Sequence, residues 1–367
     1  MTENLGFPAG RAVALDDRVR VWADASVMLG GAPWGVLRIA PAGRGFVRRL
    51  TDAGACGAVP SPGPELAVAN LLLARGIAHP VAARDLAAGD GAGVDVVVPV
   101  FESPVVLRTC LASLRAASPA ARVIVVDDGS SDDSVGEVAR AAGAVLVRHP
   151  VNRGPAAARN TGLREATSES VAFVDADCAV TPGWLGPLVA HFDDPRVAAV
   201  APRISPRSPS RGLLARYQAA RSALDMGPRP ELVTYGAPLG FLPSAAVLVR
   251  RRTVDGRAFD ESLRLGEDVD LVWHLADGGW LVRYEPASTV THQSRPAWDS
   301  LRRLFDSGTS AAALDHRHPQ RLTPARLSGW NLAIAAVLLS RKPSAAVRTP
   351  AALGVCGVAC ALLARTL

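Results

Sequence analysis

Residues 94–100 read Val-Asp-Val-Val-Val-Pro-Val, an almost unbroken run of β-branched side chains. A strand with one wet face alternates apolar and polar residues, so a run of this kind is covered on both faces and belongs inside a parallel sheet. The chain beyond it keeps to that plan. Residues 104–116 carry Leu107, Leu111 and Leu114 at helical spacing, and a strand is expected at 123–126. A helix over 134–142, a strand over 145–147, a helix over 154–166 and a strand ending at Asp175 follow. Strands alternating with helices of this length wind a parallel sheet with helices on its faces, so the expected fold class is α/β.

Open α/β sheets bind ligands beyond the carboxyl ends of their strands, and acidic residues gather there. Asp127-Asp128-Gly129-Ser130 follows one strand and Asp175-Ala176-Asp177 another. A carboxylate at such a strand end suits a uracil N3–H or a ribose hydroxyl, with Gly129 allowing close backbone approach. The competing reading is an Asx turn that opens the next helix. Residues i and i+2 of an extended segment point the same way, so Asp175 and Asp177 are expected to converge and to attract a hard cation, Mg²⁺ or Mn²⁺. Gly266-Glu267-Asp268-Val269-Asp270 opens a further helix, whose acids would aim in different directions. Acids there also suit the helix dipole, and Asp270 fits that role best. Pro99 is expected to stop its strand's ladder and turn the chain outward through Phe101 and Glu102. Asn152-Arg153-Gly154, with Arg159, Asn160 and Gly162, reads as a small-residue helix start that approaches a phosphate.

Taken together, these motifs resemble those of family 2 glycosyltransferases with the GT-A fold, over residues 94–310. The resemblance implies a mostly parallel GT-A sheet and an inverting, metal-dependent transfer of a hexose from a UDP-sugar. By the same resemblance Pro99, Phe101, Glu102, Asp127, Asp128, Arg159, Asp175 and Ala176 line the nucleotide-sugar pocket. Glu102-Ser103 stands where relatives have Asn-Glu. Asp177 is implied as metal ligand, His292 as a contact to the metal or diphosphate, and Asp268 as the base, with Glu267 as second candidate. The Gln-x-x-Arg-Trp signature of processive synthases is absent, which implies short products. Within the family, residues 29–34 and the Phe305, Gly308–Ala312 region resemble enzymes that add glucose from UDP-glucose to a peptide-derived redox cofactor, as a short β-glucan. Two alternatives stand beside this: a family 2 transferase acting on an envelope lipid or polysaccharide, and a non-catalytic peptide-binding protein.

Residues 11–88 read as a separate small module of strands at 18–22, 26–29 and 34–39, helices near Phe46–Leu50 and over 64–76, and a closing strand at 77–80. That order suits a winged-helix-like, peptide-binding unit or a plain stabilising extension. Basic and acidic residues (40 and 34) are mixed along the chain, so no nucleic-acid footprint is expected. The five cysteines are dispersed without a C-x-x-C pair, and no secretory signal opens the chain, so a reducing cytosolic setting is expected. Within 311–367, the uncharged stretches 327–340 and 349–364 fall short of the ~20 residues that span a bilayer. They read either as packed bundle helices or as a peripheral anchor at the inner face of the plasma membrane.

Overall fold

Both faces of the 94–100 strand are covered, and the two faces bury different residues. In the computed structural model, which describes residues 6–22, 24–81, 91–207, 222–293, 308–319 and 321, this strand is β6 (Val94–Val100) and every residue of it is buried. Val96 and Val98 pack with Leu107, Leu111 and Leu114 of α3 (Pro104–Ala117). Val97 faces the other way, with Ala158 and Leu163 of α5 (Pro155–Glu165) and with Phe173 and Phe259. The alternation of side chains along a strand assigns the even valines to one helical layer and Val97 to the other.

β6 is flanked in parallel by β7 (Arg122–Asp127) and β9 (Ser170–Val174), and β7 by β8 (Val145–Arg148). Helix α4 (Ser134–Ala141) connects β7 to β8. The second half of the nine-stranded sheet is mixed. β13 (Ala246–Arg250) runs antiparallel between β9 and β11 (Val197–Pro206). β14 (Leu281–His292) lies parallel to β11, with β10 (Cys178–Val180) and the short β12 (Glu231–Leu232) antiparallel on it. Helix α6 (Leu185–Ala190) follows β10, and α7 (Glu267–Asp277) precedes β14.

The expectation that Pro99 ends the ladder is corrected: Pro99 pairs with Val126, and Val100 with Asp127. Both backbone groups of one residue in a parallel ladder point to the same neighbour. The Val100 carbonyl accepts from Asp128 N, so Val100 faces β7 and Pro99 faces β9. Pairing with β9 has already ended at Val97, and the missing N–H of proline costs no bond there.

The leading residues form β2 (Arg20–Val21), β3 (Val27–Gly30) and β4 (Gly35–Arg38) as an antiparallel sheet. Helices α1 (Pro41–Ala53) and α2 (Pro64–Ala74) close over Met28, Phe46, Leu50 and Leu72. Gly76, left-handed at φ 60°, stops α2. β5 (Ala78–Pro80) pairs with β1 (Val13–Leu15), a strand with no local signal in the sequence. Polar contacts fasten this unit to the main sheet. Arg18 bridges Asp16 and Glu231 at 2.7 and 2.8 Å, and buried Arg283 of β14 donates to the Leu73 carbonyl at 2.9 Å.

Residues 82–90, with most of the expected linker, and 294–307, with Phe305, lie outside the described residues, as do both apolar stretches beyond 322. Among the described residues, no helix is long and apolar enough to cross a membrane. Helix α8 (Ala311–Arg317) packs Leu314 toward Gly266.

The α5–β6 contact has no room for a methyl group at Gly162, where an added Cβ would lie 2.2 Å from Val97 Cγ1. Val97 is fully buried and β-branched, so it cannot rotate away. Gly162→Ala should therefore lower stability by roughly 1–2 kcal/mol despite the helix propensity gained, read as a fall in the urea midpoint.

Candidate active site

The loops after β6, β7 and β9 and the start of α7 carry the candidate residues, and the structure sorts them into distinct jobs. Asp127 is fully buried. Its Oδ1 accepts from Ser130 N at 3.0 Å and Ser130 Oγ at 2.6 Å, an Asx turn. Its Oδ2 has Arg148 Nε at 3.3 Å and, among the described residues, accepts no hydrogen bond. The turn thus engages one carboxylate oxygen, and the Arg148 ion pair stands at the other. Glu102 adopts φ 50°, uncommon for a residue with a side chain. Its N–H donates to Ser130 Oγ at 3.0 Å and its Oε1 accepts from Ser131 N at 2.8 Å, which ties the two loops together. Phe101 stands beside it, 46% exposed, while Pro99 is buried within β6.

Asp128 turns inward. It accepts from His149 Nδ1 at 2.7 Å, Arg153 N at 3.0 Å and Gly154 N at 2.7 Å. His149 Nε2 reaches Thr161 Oγ1 of α5 at 2.9 Å. Asp128 therefore fixes the loop that starts α5. Gly129 is needed for a contact within the protein: at φ 82°, a Cβ there would lie 2.5 Å from the Val151 carbonyl carbon.

The expectation that Asp175 and Asp177 lie on an extended segment is also corrected. β9 ends at Val174 and the chain turns, with Cys178 N donating to the Asp175 carbonyl at 2.9 Å. The two carboxylates take different partners. Asp175 Oδ1 accepts from Arg159 Nη2 at 2.7 Å. Asp177 Oδ2 lies 3.3 Å from His292 Nε2, placed there by the pairing of Cys178 with His292 between β10 and β14. Ala176 is buried between them.

Asp177 and His292 are both partly exposed. The Asp177 carboxylate suits Mg²⁺ or Mn²⁺, and Mg²⁺ commonly takes few protein ligands and fills the rest from phosphates and water. Among the described residues no cluster of three or more such ligands occurs.

Across the site, Glu267 is buried and accepts from Arg159 Nη1 at 3.1 Å. Asp268, the next residue, accepts from Val269 N at 2.9 Å. Burial, and then the negative charge of Glu267, push its carboxyl up to about 6. Asp270 faces away and pairs with His318 at 2.9 Å, a specific partner beyond the dipole role expected from sequence. Asn160 joins α5 to the approach of α7: its Nδ2 donates to the Phe259 carbonyl at 2.7 Å, and its Oδ1 accepts from Phe259 N at 3.0 Å. Arg148, His149, Thr161 and His318 have no motif that could have flagged them.

The sequence model described as glycosyl transferase family 2 matches residues 95–255. The chain is 42% identical over 341 residues to the pre-mycofactocin glycosyltransferase of Mycobacterium tuberculosis, covering 91% of this chain and 69% of that one. It is 35% identical over 185 residues to the succinoglycan biosynthesis protein ExoU of Rhizobium meliloti, covering 45% of this chain and 51% of that one. A solved mannosyltransferase from Pyrobaculum calidifontis, in complex with GDP-Man and Mn²⁺, aligns at 22% identity and a TM-score of 0.49, over 76% of this chain and 78% of that one.

Removing the Asp128 carboxylate takes the acceptor from three donors at once. Asp128→Ala should cost about 3 kcal/mol, seen as a lower denaturation midpoint, whereas Asp132→Ala on the exposed rim should leave the midpoint nearly unchanged.

Proposed function

This chain belongs to glycosyl transferase family 2, and on that footing we propose that it moves glucose from UDP-glucose onto a peptide-derived redox cofactor of the mycofactocin type, with inversion at C1, to build a short β-glucan. The observation that carries the mechanism is Asp268, a partly buried carboxylate at the start of α7 whose proton affinity lies near neutrality. A base is most effective when its pKa lies near the working pH. The similarity to the pre-mycofactocin enzyme runs through 91% of the chain, more than the matched family region of 95–255, and so supports the choice of acceptor.

In this reading Asp127 Oδ2, which has Arg148 beside it but makes no hydrogen bond among the described residues, accepts from the nucleoside. Phe101, exposed at the rim, offers an apolar face to the base. Asp175, oriented by Arg159, faces the ribose, with Ala176 leaving room for the backbone to approach. Asp177 and His292 would hold a divalent cation, which when bound offsets the charge of the diphosphate. The acceptor hydroxyl oxygen attacks C1 from the face opposite the leaving group. The C1–oxygen bond to the diphosphate breaks with its electron pair going to UDP, and the acceptor proton passes to the Asp268 carboxylate. Glu267, committed to Arg159, holds the guanidinium in place while its neighbour takes the proton.

With UDP-glucose and Mn²⁺, mass spectrometry should show hexose addition to a peptide-derived acceptor and none to a lipid-linked one; the reverse preference would move the acceptor to the envelope. Asp268→Asn should cut transfer at least ~100-fold and still bind UDP in calorimetry; unchanged turnover would rule out this base.

The pH dependence has a defined sign. The working form of Asp268 is the carboxylate, so the rate should be level above its pKa and should fall about tenfold per unit below about 6. A pH profile of single-turnover transfer checks this.

A further inference from the structure

The turn between β3 and β4 carries the leading unit onto loop 233–245 of the catalytic sheet, and both segments expose aromatic rings. Gly31 lets the turn press on the end of α2, where a Cβ would lie 2.6 Å from the Arg75 carbonyl oxygen. Ala32 N donates to that same carbonyl at 2.8 Å. Ala32, Leu232 and Ala237 then bury together, and a Cβ on Gly236 would stand 3.7 Å from Pro33 Cβ. The turn is thus clamped against the loop. Trp34 follows directly and is 69% exposed.

The loop leads from this turn to the reacting groups. Tyr235, exposed, packs T-shaped on Trp273 of α7 with ring centroids 6.0 Å apart. Trp273, on the same helix as Asp268, donates from Nε1 to the Gly240 carbonyl at 2.8 Å. Exposed Phe241 comes next, and the Ala245 carbonyl at the loop's end accepts from Asp175 N at 2.9 Å. One loop therefore links the turn of Trp34, the helix of Asp268 and the donor-side acid Asp175. Segments 29–37 and 233–245 contain no charged residue. Arg321, 5.6 Å from the Tyr235 ring centroid, is paired with Asp277. Such a surface suits a flat, uncharged, apolar group better than a lipid-linked diphosphate. Sugar hydroxyls would need polar partners, and here these are few: Trp34, Thr234, Tyr235 and Ser244. We propose that Trp34, Tyr235 and Phe241 form an acceptor subsite, which holds the peptide-derived end of the acceptor by its apolar faces and leaves its hydroxyl toward Asp268. The inference rests on the peptide-derived acceptor of the proposed function. The turn of Trp34 lies outside the matched family region of 95–255, so it adds acceptor choice to a shared donor core.

The test measures transfer from UDP-glucose with Mn²⁺ to the peptide-derived acceptor and, separately, to cellobiose, a β-linked glucose disaccharide. Trp34→Ala should raise KM for the peptide-derived acceptor about tenfold, the effect of one lost aromatic contact. KM for UDP-glucose and for cellobiose should stay at the wild-type values, which a general loss of structure would not allow. Trp34→Phe should recover most of the affinity. Trp22→Ala removes another exposed ring, at the opposite end of β3, and should move none of these constants. An unmoved acceptor KM in Trp34→Ala would overturn the subsite. An equal rise for cellobiose would overturn it too, because the rings would then serve the glucan. If the wild-type protein adds no glucose to the peptide-derived acceptor, the reading of the acceptor fails and the subsite falls with it. Transfer by the wild type beside an unmoved KM in Trp34→Ala sinks the subsite alone.

Discussion

One buried guanidinium joins the parallel half of the sheet to the mixed half. Asp175 ends β9, beside the parallel strands, and Glu267 starts α7, which leads into β14. Arg159 holds both. Such a pairing contributes little net stability, because desolvating the charges offsets most of their attraction. Its value is geometric: neither acid can leave without stranding a buried charge. A transferase needs that kind of fixity, since the donor sits on one side and the base must stand on the other, at a set separation.

The same helix carries most of the remaining constraints. Over a few consecutive positions of α5, Arg159 meets the acids, Asn160 the loop before α7, Thr161 the His149–Asp128 pair and Gly162 the β6 strand. Successive helical residues point about 100° apart, so each neighbour engages a different element. From Ala156 to Asn160 the helix is buried on every side, and it opens to solvent at Pro155, Arg164 and Glu165. This accounts for Ala156, Ala157 and Ala158, small and buried where the backbone comes close to its surroundings. The run Ala-Arg-Asn-x-Gly is thus a packing requirement as much as a binding one.

Much of this was legible in the sequence because it is local. The buried β6 run, the helices after it and the strand-end acids follow from periodicity and position alone. The apolar run at 243–249 reads as a strand, but the antiparallel direction of β13 was not legible, since a short apolar run reads the same either way, and its partners β9 and β11 are chosen by tertiary packing. The Asp127–Asp128 pair looked like one feature and became two, because the donors that claim Asp128 come from residues 149–154. The turn at Asp175–Cys178 was hidden for a similar reason: no glycine or proline marks it, and the strand that resumes at Cys178 takes its register from His292. The His318–Asp270 pair is equally remote in sequence.

The state of Asp268 follows from opposing terms that the fold supplies together. The first turn of a helix favours a carboxylate, through its free N–H groups and the macrodipole, and Val269 N donates to it. Burial works against the charge, and Glu267 works against it further. A lone surface acid in that position would be too weak a base, and a lone buried one would be protonated and inert. Placing two acids in sequence divides these demands. Glu267 pairs with Arg159, and after burial its charge is the next cause that raises its neighbour. In the Glu-Asp pair, Glu267 carries the structural contact to Arg159 and Asp268 is the proposed base.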